Sequence, residues 1–173
     1  KPKAQAEAEI DKCAFNCDWY ATHAPRFLEA QSRDLAEKGG LNGEGHVLFD
    51  PLGVVLAIMP WNYPFWQFFR FLAPALAAGN GAILKHADNV PQCALAMGEL
   101  VRKAGAPEGL VQTPLIANAA VAGLIADARV AAVTLTGSSK VGQIVASQAG
   151  KALKKQVLEL GGSDPFIVLE DAD

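Results

Sequence analysis

The sequence predicts an α/β fold, a Rossmann-like parallel sheet with helices on both faces, and three observations predict it. Short runs rich in aliphatic and β-branched residues recur from Val54 onward, segments of helical length separate most of them, and the unusual polar and glycine residues fall just after the runs. Strands and helices alternating in this way imply right-handed crossovers and a sheet covered on both sides. With 173 residues, 51% hydrophobic and 19% charged, the chain has the composition of a soluble globular domain with one sizeable core.

Taken in order, residues 4–37 are rich in Ala, Glu and Lys and read as helix with a break at Pro25. Gly39-Gly40-Leu41-Asn42-Gly43 reads as a flexible joint, and 46–49 as a short strand leading into Pro51-Leu52-Gly53. Between Asp50 and Lys85 the only charge is Arg70. A membrane span needs about 20 uninterrupted apolar residues. Here Pro51, Gly53, Pro60, Asn62, Pro64, Pro74 and Gly79 interrupt the stretch, so no membrane contact is expected. The segment reads as a buried strand at 54–58, a loop clamped by Pro60 and Pro64, and a helix at 65–78 ended by Gly79-Asn80. Further strands are expected at 82–85, 109–113, 131–135, 156–160 and 166–169. Pro91 suits a first helical turn and Gly105 a stop, giving a helix at 91–104. Asn118 is expected to cap a helix running to about residue 127, and Ser138 or Ser139 to start a third. Residues 1–50 thus form a helical lead-in and a strand available for subunit pairing, and residues 51–173 the α/β domain.

The net charge of −3, with Lys and Arg scattered, offers no basic stripe for a nucleic acid. Three cysteines, Cys13, Cys17 and Cys93, are too few and too uneven for a disulfide framework, and no charged-then-apolar leader opens the sequence. A cytoplasmic location is expected. Cys13 and Cys17 share a helix face, but no His or further Cys lies near enough in sequence to complete a metal site. They read as packing residues. His23, His46 and His86 are likewise isolated, so no metal is expected.

In open α/β sheets ligands bind beyond the carboxyl ends of the strands. The residues found there are Pro60-Trp61-Asn62, Lys85, Thr136-Gly137-Ser138-Ser139 and Glu159-Leu160-Gly161-Gly162. Gly137-Ser138-Ser139-Lys140-Val141-Gly142 is either a phosphate-binding helix start or an ordinary strand-to-helix turn; it is neither a Walker loop nor a three-glycine Rossmann fingerprint. Lys85 is placed to bond ribose hydroxyls or a phosphate, and Asp88 to accept from a ribose 2′-hydroxyl and repel a 2′-phosphate, unless the two form a solvated surface pair. Glu159 is placed either as a general base or as a surface carboxylate. Asn62 either donates its amide to a developing oxyanion or satisfies its own turn.

As an ordered set, Pro60-Trp61-Asn62-Tyr63-Pro64, Lys85, Thr136-Gly137-Ser138 and Glu159-Leu160-Gly161-Gly162 resemble the aldehyde dehydrogenase superfamily, from about Asp50 to Asp173. The resemblance implies oxidation of an aldehyde to a carboxylic acid with NAD or NADP: a cysteine thiolate attacks the carbonyl, hydride passes to the nicotinamide, and water hydrolyses the thioester. It implies Asn62 as oxyanion donor and Glu159 as base for the water or thiol. Lys85 and Asp88 would hold the adenosine ribose. Gly137 and Ser138 would meet the pyrophosphate, with Leu160 and Gly161 beside them, while Ile58, Met59, Pro60 and Trp61 would line the cofactor cleft and Val141 would pack near the adenine. Asp88, although shorter than the glutamate of many NAD-preferring members, favours NAD slightly.

Gly40-Leu41-Asn42-Gly43-Glu44-Gly45 and the text from Leu158 to Asp173 are similar to the bacterial succinate-semialdehyde dehydrogenase branch. In that branch an arginine matching Arg70 binds the substrate's distal carboxylate; otherwise Arg70 lays its stem over apolar surface and its head in water. The family's nucleophilic cysteine follows the Glu-Leu-Gly-Gly motif, and none of the three cysteines matches it by position. The expectation is a fragment of a longer homo-oligomeric enzyme, inactive by itself. Where many relatives have a glycine-rich turn near the cofactor, this sequence has Thr113-Pro114-Leu115-Ile116-Ala117-Asn118. Two other readings are a non-catalytic nucleotide-binding module and a reductase of acyl phosphates or thioesters, the latter disfavoured by the presence of Glu159.

Overall fold

The computed structural model describes residues 1–34 and 43–173. It opens with helix α1 (Lys3–Phe27), followed by strands β1 (Gln31–Asp34) and β2 (Glu44–Val47), which pair antiparallel as a two-stranded sheet. The α/β part then runs β3 (Val54–Met59), α2 (Trp66–Ala77), β4 (Gly81–His86), α3 (Pro91–Lys103), β5 (Val111–Gln112), α4 (Val121–Ala126), β6 (Val130–Thr136), α5 (Ser139–Lys151) and β7 (Lys155–Glu159). All pairings in this second sheet are parallel, in the order β5-β4-β3-β6-β7. The chain winds outward from β3 through β4 to β5, then returns to β3's other side for β6 and β7. That reversal is a topological switch point, between the carboxyl ends of β3 and β6.

Alternation along the strands sorts the core into two layers. Ala57, Met59, Ala82 and Leu84 meet Phe68 and Leu72 of α2 and Ala94 and Met97 of α3. Leu56, Val133 and Leu135 meet Val121 and Ile125 of α4 and Val145 and Ala149 of α5. Because α2 and α3 cover β3, β4 and β5, the same face of β6 and β7 lies open, and Val157 is 61% exposed. Over that open face runs a cleft of about 820 Å³, walled by Arg70, Phe71 and Pro74 of α2. No helix among the described residues is long and apolar enough to cross a membrane.

Several expectations need correction. The opening helix stops at Phe27, two residues past Pro25, and residues 31–34 of the expected helix are strand β1, whose polar sequence becomes a strand only because β2 pairs with it. The expected strand at 46–49 begins two residues earlier, at Glu44, and ends at Val47. Residues 35–37 of the expected helix and residues 39–42 of the joint expected at 39–43 lie outside the described residues. The strand at 109–113 shrinks to Val111–Gln112, since Gly109 takes a positive φ and this strand is the sheet's edge. Residues 166–169 form no strand: their side chains are 67–91% exposed and no described strand pairs with them. Asn118 is the first residue of a 3-10 turn (Asn118–Ala120) whose N-cap position is Ala117, so it makes no capping bond, and its amide nitrogen donates to Asp88.

Candidate active site

The strand ends are in register. Ile58 of β3 lies between Lys85 of β4 and Leu135 of β6, Leu135 pairs with Leu158, and Thr136 pairs with Glu159 of β7. With neighbouring strands about 4.8 Å apart, the expected site residues therefore fall in one row across the sheet's carboxyl edge. A pocket of about 430 Å³ at the β3, β6 and β7 end is lined by Pro60, Trp61, Asn62, Gln67, Arg70, Gly137, Ser138, Glu159, Leu160 and Gly161. Lys85, Asp88 and Val141 do not line it. Ile58 turns toward the α4 and α5 core, while Met59 is buried in the α2 and α3 core, so the two flank the sheet on opposite faces.

Asn62 is exposed in the loop between β3 and α2, and its Oδ1 accepts from the Tyr63 N–H at 3.1 Å. That bond uses the carbonyl end of the amide and leaves the N–H₂ end as the group offered to the pocket. The loop is held from three sides. His86 Nε2–H donates to the Pro64 carbonyl (3.1 Å) while Nδ1 accepts from the Ala87 N–H (2.8 Å), and burial holds the ring's pKa below the usual histidine value. Lys1 and Lys12 lie over the rings of Tyr63 and Trp66 at 3.7 and 3.9 Å. Glu9 of α1 is buried, and its Oε1 accepts from the Phe65 and Trp66 N–H groups, both at 2.9 Å, with Lys1 paired to its other oxygen. Glu9 thus caps α2 from another helix, because α2 has neither a capping side chain nor an acid in its first turn.

Glu159 is exposed at the end of β7, and its carbonyl accepts from the Gly137 N–H at 3.0 Å. Gly137's N–H is therefore spent in the sheet and is not offered to a phosphate. The Glu159 carboxylate lies 3.8 Å from an Arg70 guanidinium nitrogen, both side chains being partly exposed. Ser138 caps α5, its Oγ accepting from the Val141 N–H at 3.3 Å. The preceding N–H groups of that first turn have no partner within the helix, which is the arrangement by which a helix start can hold an anion. At Gly142 an added Cβ would lie 2.5 Å from Leu160, so the glycine lets α5 and the end of β7 close on each other beside this site.

Lys85 is 3% exposed, and its ammonium donates to the His86 carbonyl (2.7 Å) and to Asp88 (2.6 Å). Asn118 donates to the other Asp88 oxygen at 3.3 Å. Of three ammonium donors two are engaged, which leaves one for a ribose hydroxyl or phosphate. A helix N-terminus, a buried ammonium and a flanking glycine contact together suit the pyrophosphate and ribose of a dinucleotide.

The chain matches the Aldehyde dehydrogenase family over residues 1–173. It belongs to that family. Among curated members it is 54% identical to the "Probable succinate-semialdehyde dehydrogenase [NADP(+)]" of Synechocystis sp., over 98% of this chain and 36% of the relative. It is 50% identical to "Succinate-semialdehyde dehydrogenase [NADP(+)] 1" of Mycobacterium bovis, over 100% and 37%. Of solved structures, the succinic semialdehyde dehydrogenase of Streptococcus pyogenes in complex with NADP+ superposes with a TM-score of 0.88 at 42% identity, over 98% of this chain and 36% of that one. The Burkholderia pseudomallei succinate-semialdehyde dehydrogenase does so with 0.89 at 36% identity, over 100% and 35%. The chain thus spans just over a third of the length of these relatives, the part that holds the family's cofactor-binding sheet. Of these four, the three whose descriptions name a cofactor name NADP+, so the slight preference for NAD drawn from Asp88 finds no support among them.

Within this aldehyde dehydrogenase chain no cysteine is placed as a nucleophile. Cys13 is buried on α1, where desolvation and the nearby Glu9 charge push its thiol up to about 12; burial also raises Cys17 and Cys93. None of them lines the Asn62 pocket. Three residues that matter escaped the sequence reading: Glu9, His86 and Gln67. The missing N-cap of α2 was the signal for Glu9, and a lone glutamine on an apolar helix the signal for Gln67. His86 carries no signal beyond following Lys85. Gln67 Oε1 is buried without a hydrogen-bond partner among the described residues, a cost of about 1–3 kcal/mol.

Proposed function

We propose that this chain is the cofactor-binding part of an enzyme that oxidises succinate semialdehyde to succinate with NADP+, the nucleophilic thiol coming from outside these 173 residues. The observation that carries the reading is that Asn62, Arg70 and Glu159 line one pocket at the switch point, next to the N-terminus of α5. Residues 51–173 are the cofactor-binding domain, and residues 1–50 a lead-in whose α1 braces the Asn62 loop. NADP+, when bound, would supply the hydride acceptor for an overall change of aldehyde, NADP+ and water into acid, NADPH and a proton. Asn62 Nδ2–H donates to the oxyanion that forms as the carbonyl is attacked. Glu159 takes the proton of the hydrolytic water. Arg70 turns its guanidinium fork from Glu159 to the distal carboxylate. Lys85 and the first turn of α5 bind ribose and phosphates, and the Lys85 ammonium and Asn118 amide offset the charge by which Asp88 opposes a 2′-phosphate. The exposed Val47 at the end of β2, and Leu48 and Phe49 after it, suit pairing of subunits in a homo-oligomer.

The test is NADPH formation by the polypeptide that contains this chain, with succinate semialdehyde, uncharged aldehydes and both cofactors. The expected result is the highest kcat/KM for succinate semialdehyde with NADP+. Binding of NADP+ without oxidation of any aldehyde would favour a nucleotide-binding module instead.

A further inference from the structure

Helix α2 has 12 residues, and only Gln67 and Arg70 among them carry a hydrogen-bonding polar chain other than the Trp66 indole. They are three positions apart, hence neighbours on one helix face. Both line the 430 Å³ pocket and the 820 Å³ cleft. Among the described residues no side-chain hydrogen bond engages the Gln67 amide, and its Oε1 is buried and unpartnered. A methionine would fill the same space without stranding a polar atom. The reason for an amide therefore lies in the pocket.

We propose that Gln67 is a specificity-determining residue that, with Arg70, forms a two-part clamp on the substrate's distal carboxylate. The inference rests on the substrate reading given above. When the Arg70 guanidinium leaves Glu159, which it touches only at 3.8 Å, its five N–H groups serve two partners. Its fork donates to the carboxylate, and one further N–H donates to Gln67 Oε1, supplying the donor that oxygen lacks. The Gln67 N–H₂ group then donates to the same carboxylate. Every polar atom of the pair is satisfied once the anion is present. An uncharged aldehyde offers the amide no acceptor at that end, so Gln67 separates semialdehydes of dicarboxylic acids from plain aldehydes.

The experiment compares Gln67→Met, Gln67→Glu and Arg70→Met in the complete polypeptide, with succinate semialdehyde and with pentanal, its near-isostere without the charge. Succinate binding is titrated in parallel by the fluorescence of the nearby Trp61 and Trp66. Gln67→Met is expected to raise KM for succinate semialdehyde, and to weaken succinate, by about tenfold or more, the loss of a hydrogen bond to a charged group. Its KM for pentanal should stay within about twofold. Gln67→Glu keeps the shape and sets a negative charge against the substrate's, so it should raise KM for succinate semialdehyde further than Gln67→Met does. It also decides the matter if the methionine variant does not fold. Equal effects on both aldehydes, or no effect on either, overturn the clamp. If Arg70→Met discriminates between the two aldehydes and the Gln67 variants do not, the clamp fails while the substrate reading stands. If Arg70→Met does not discriminate, the substrate reading fails and the clamp with it.

Discussion

At the β4 end of the ligand edge, Lys85 is buried and its ammonium touches two acceptors at 2.6 and 2.7 Å; three strands away, at β7, Glu159 and Arg70 face each other at 3.8 Å in the open, beside a glutamine oxygen without a partner among the described residues. The first arrangement is finished within the sheet domain, because Asp88, Asn118 and a main-chain carbonyl all lie close by. The second is unfinished: it borders the open face of β6 and β7 and has polar atoms still to be matched. The difference teaches that cofactor and substrate functions are built on different terms here. On the function proposed above, ribose and phosphate groups would meet a preorganised surface, whereas substrate groups would complete one.

The hardest test of that contrast is removal of Asn62. Asn62→Ala should lower kcat by about 10²–10³-fold, as expected for the loss of one oxyanion donor, with NADP+ affinity unchanged by equilibrium titration. A matching loss of NADP+ affinity would show that the two ends are one unit. Next in size is Glu9→Ala, which strips the cap from α2 and leaves Lys1 without its partner. Urea denaturation should show a loss of about 2–3 kcal/mol, since a buried charged acceptor of two main-chain bonds is removed. A loss below about 0.5 kcal/mol, the size typical of surface positions, would mean that α1 does not brace the Asn62 loop.

Much of the closed end was legible in the sequence and less of the open end, for a physical reason. β3, β4 and β6 announce themselves because their apolar residues are locally continuous, while β7 shows only Val157 and Leu158 ahead of the Gly161-Gly162 pair, and Lys85, Ser138 and Glu159 then fall at strand ends by counting. What failed depends on partners distant in sequence. Gln31–Asp34 has no strand signal of its own and is a strand only through its ladder with β2. Residues 166–169 carry the signal but find no described strand to pair with. Glu9 looks like one more surface acid on a helix until α2, some 56 residues later, presents uncapped N–H groups to it. Hydrogen-bond accounts narrow one assignment too, for the Gly137 N–H is already given to the Glu159 carbonyl.

Lys85→Met sharpens the contrast from the other side. It should raise the dissociation constant for NADP+ by about tenfold, through loss of one charge-assisted hydrogen bond, and leave kcat at saturating NADP+ nearly unchanged. A fall in kcat with unchanged NADP+ binding would move Lys85 into the chemistry and abolish the distinction drawn here.

The smallest effect belongs to His86, the link between the two ends, since it sits on β4 beside Lys85 and bonds the Pro64 carbonyl of the Asn62 loop. Burial, helped by the Lys85 charge, lowers its folded pKa from the usual histidine value, against the bond to the Pro64 carbonyl and the nearby Met59 carbonyl, which only a protonated Nδ1 would bond. The sign follows from linkage. Above pH 6.5 the ring is neutral in both states and its contribution to stability is complete. As pH falls below that value the unfolded chain binds a proton that the folded chain does not, and stability is lost until the folded pKa is reached. Urea denaturation between pH 7.5 and 5.5 should therefore show a slope of at most about one proton from this group. In His86→Gln that part of the slope should vanish. A slope unchanged in the variant would assign the proton to another group, and the ring would then join the two ends by packing and hydrogen bonding without a charge change.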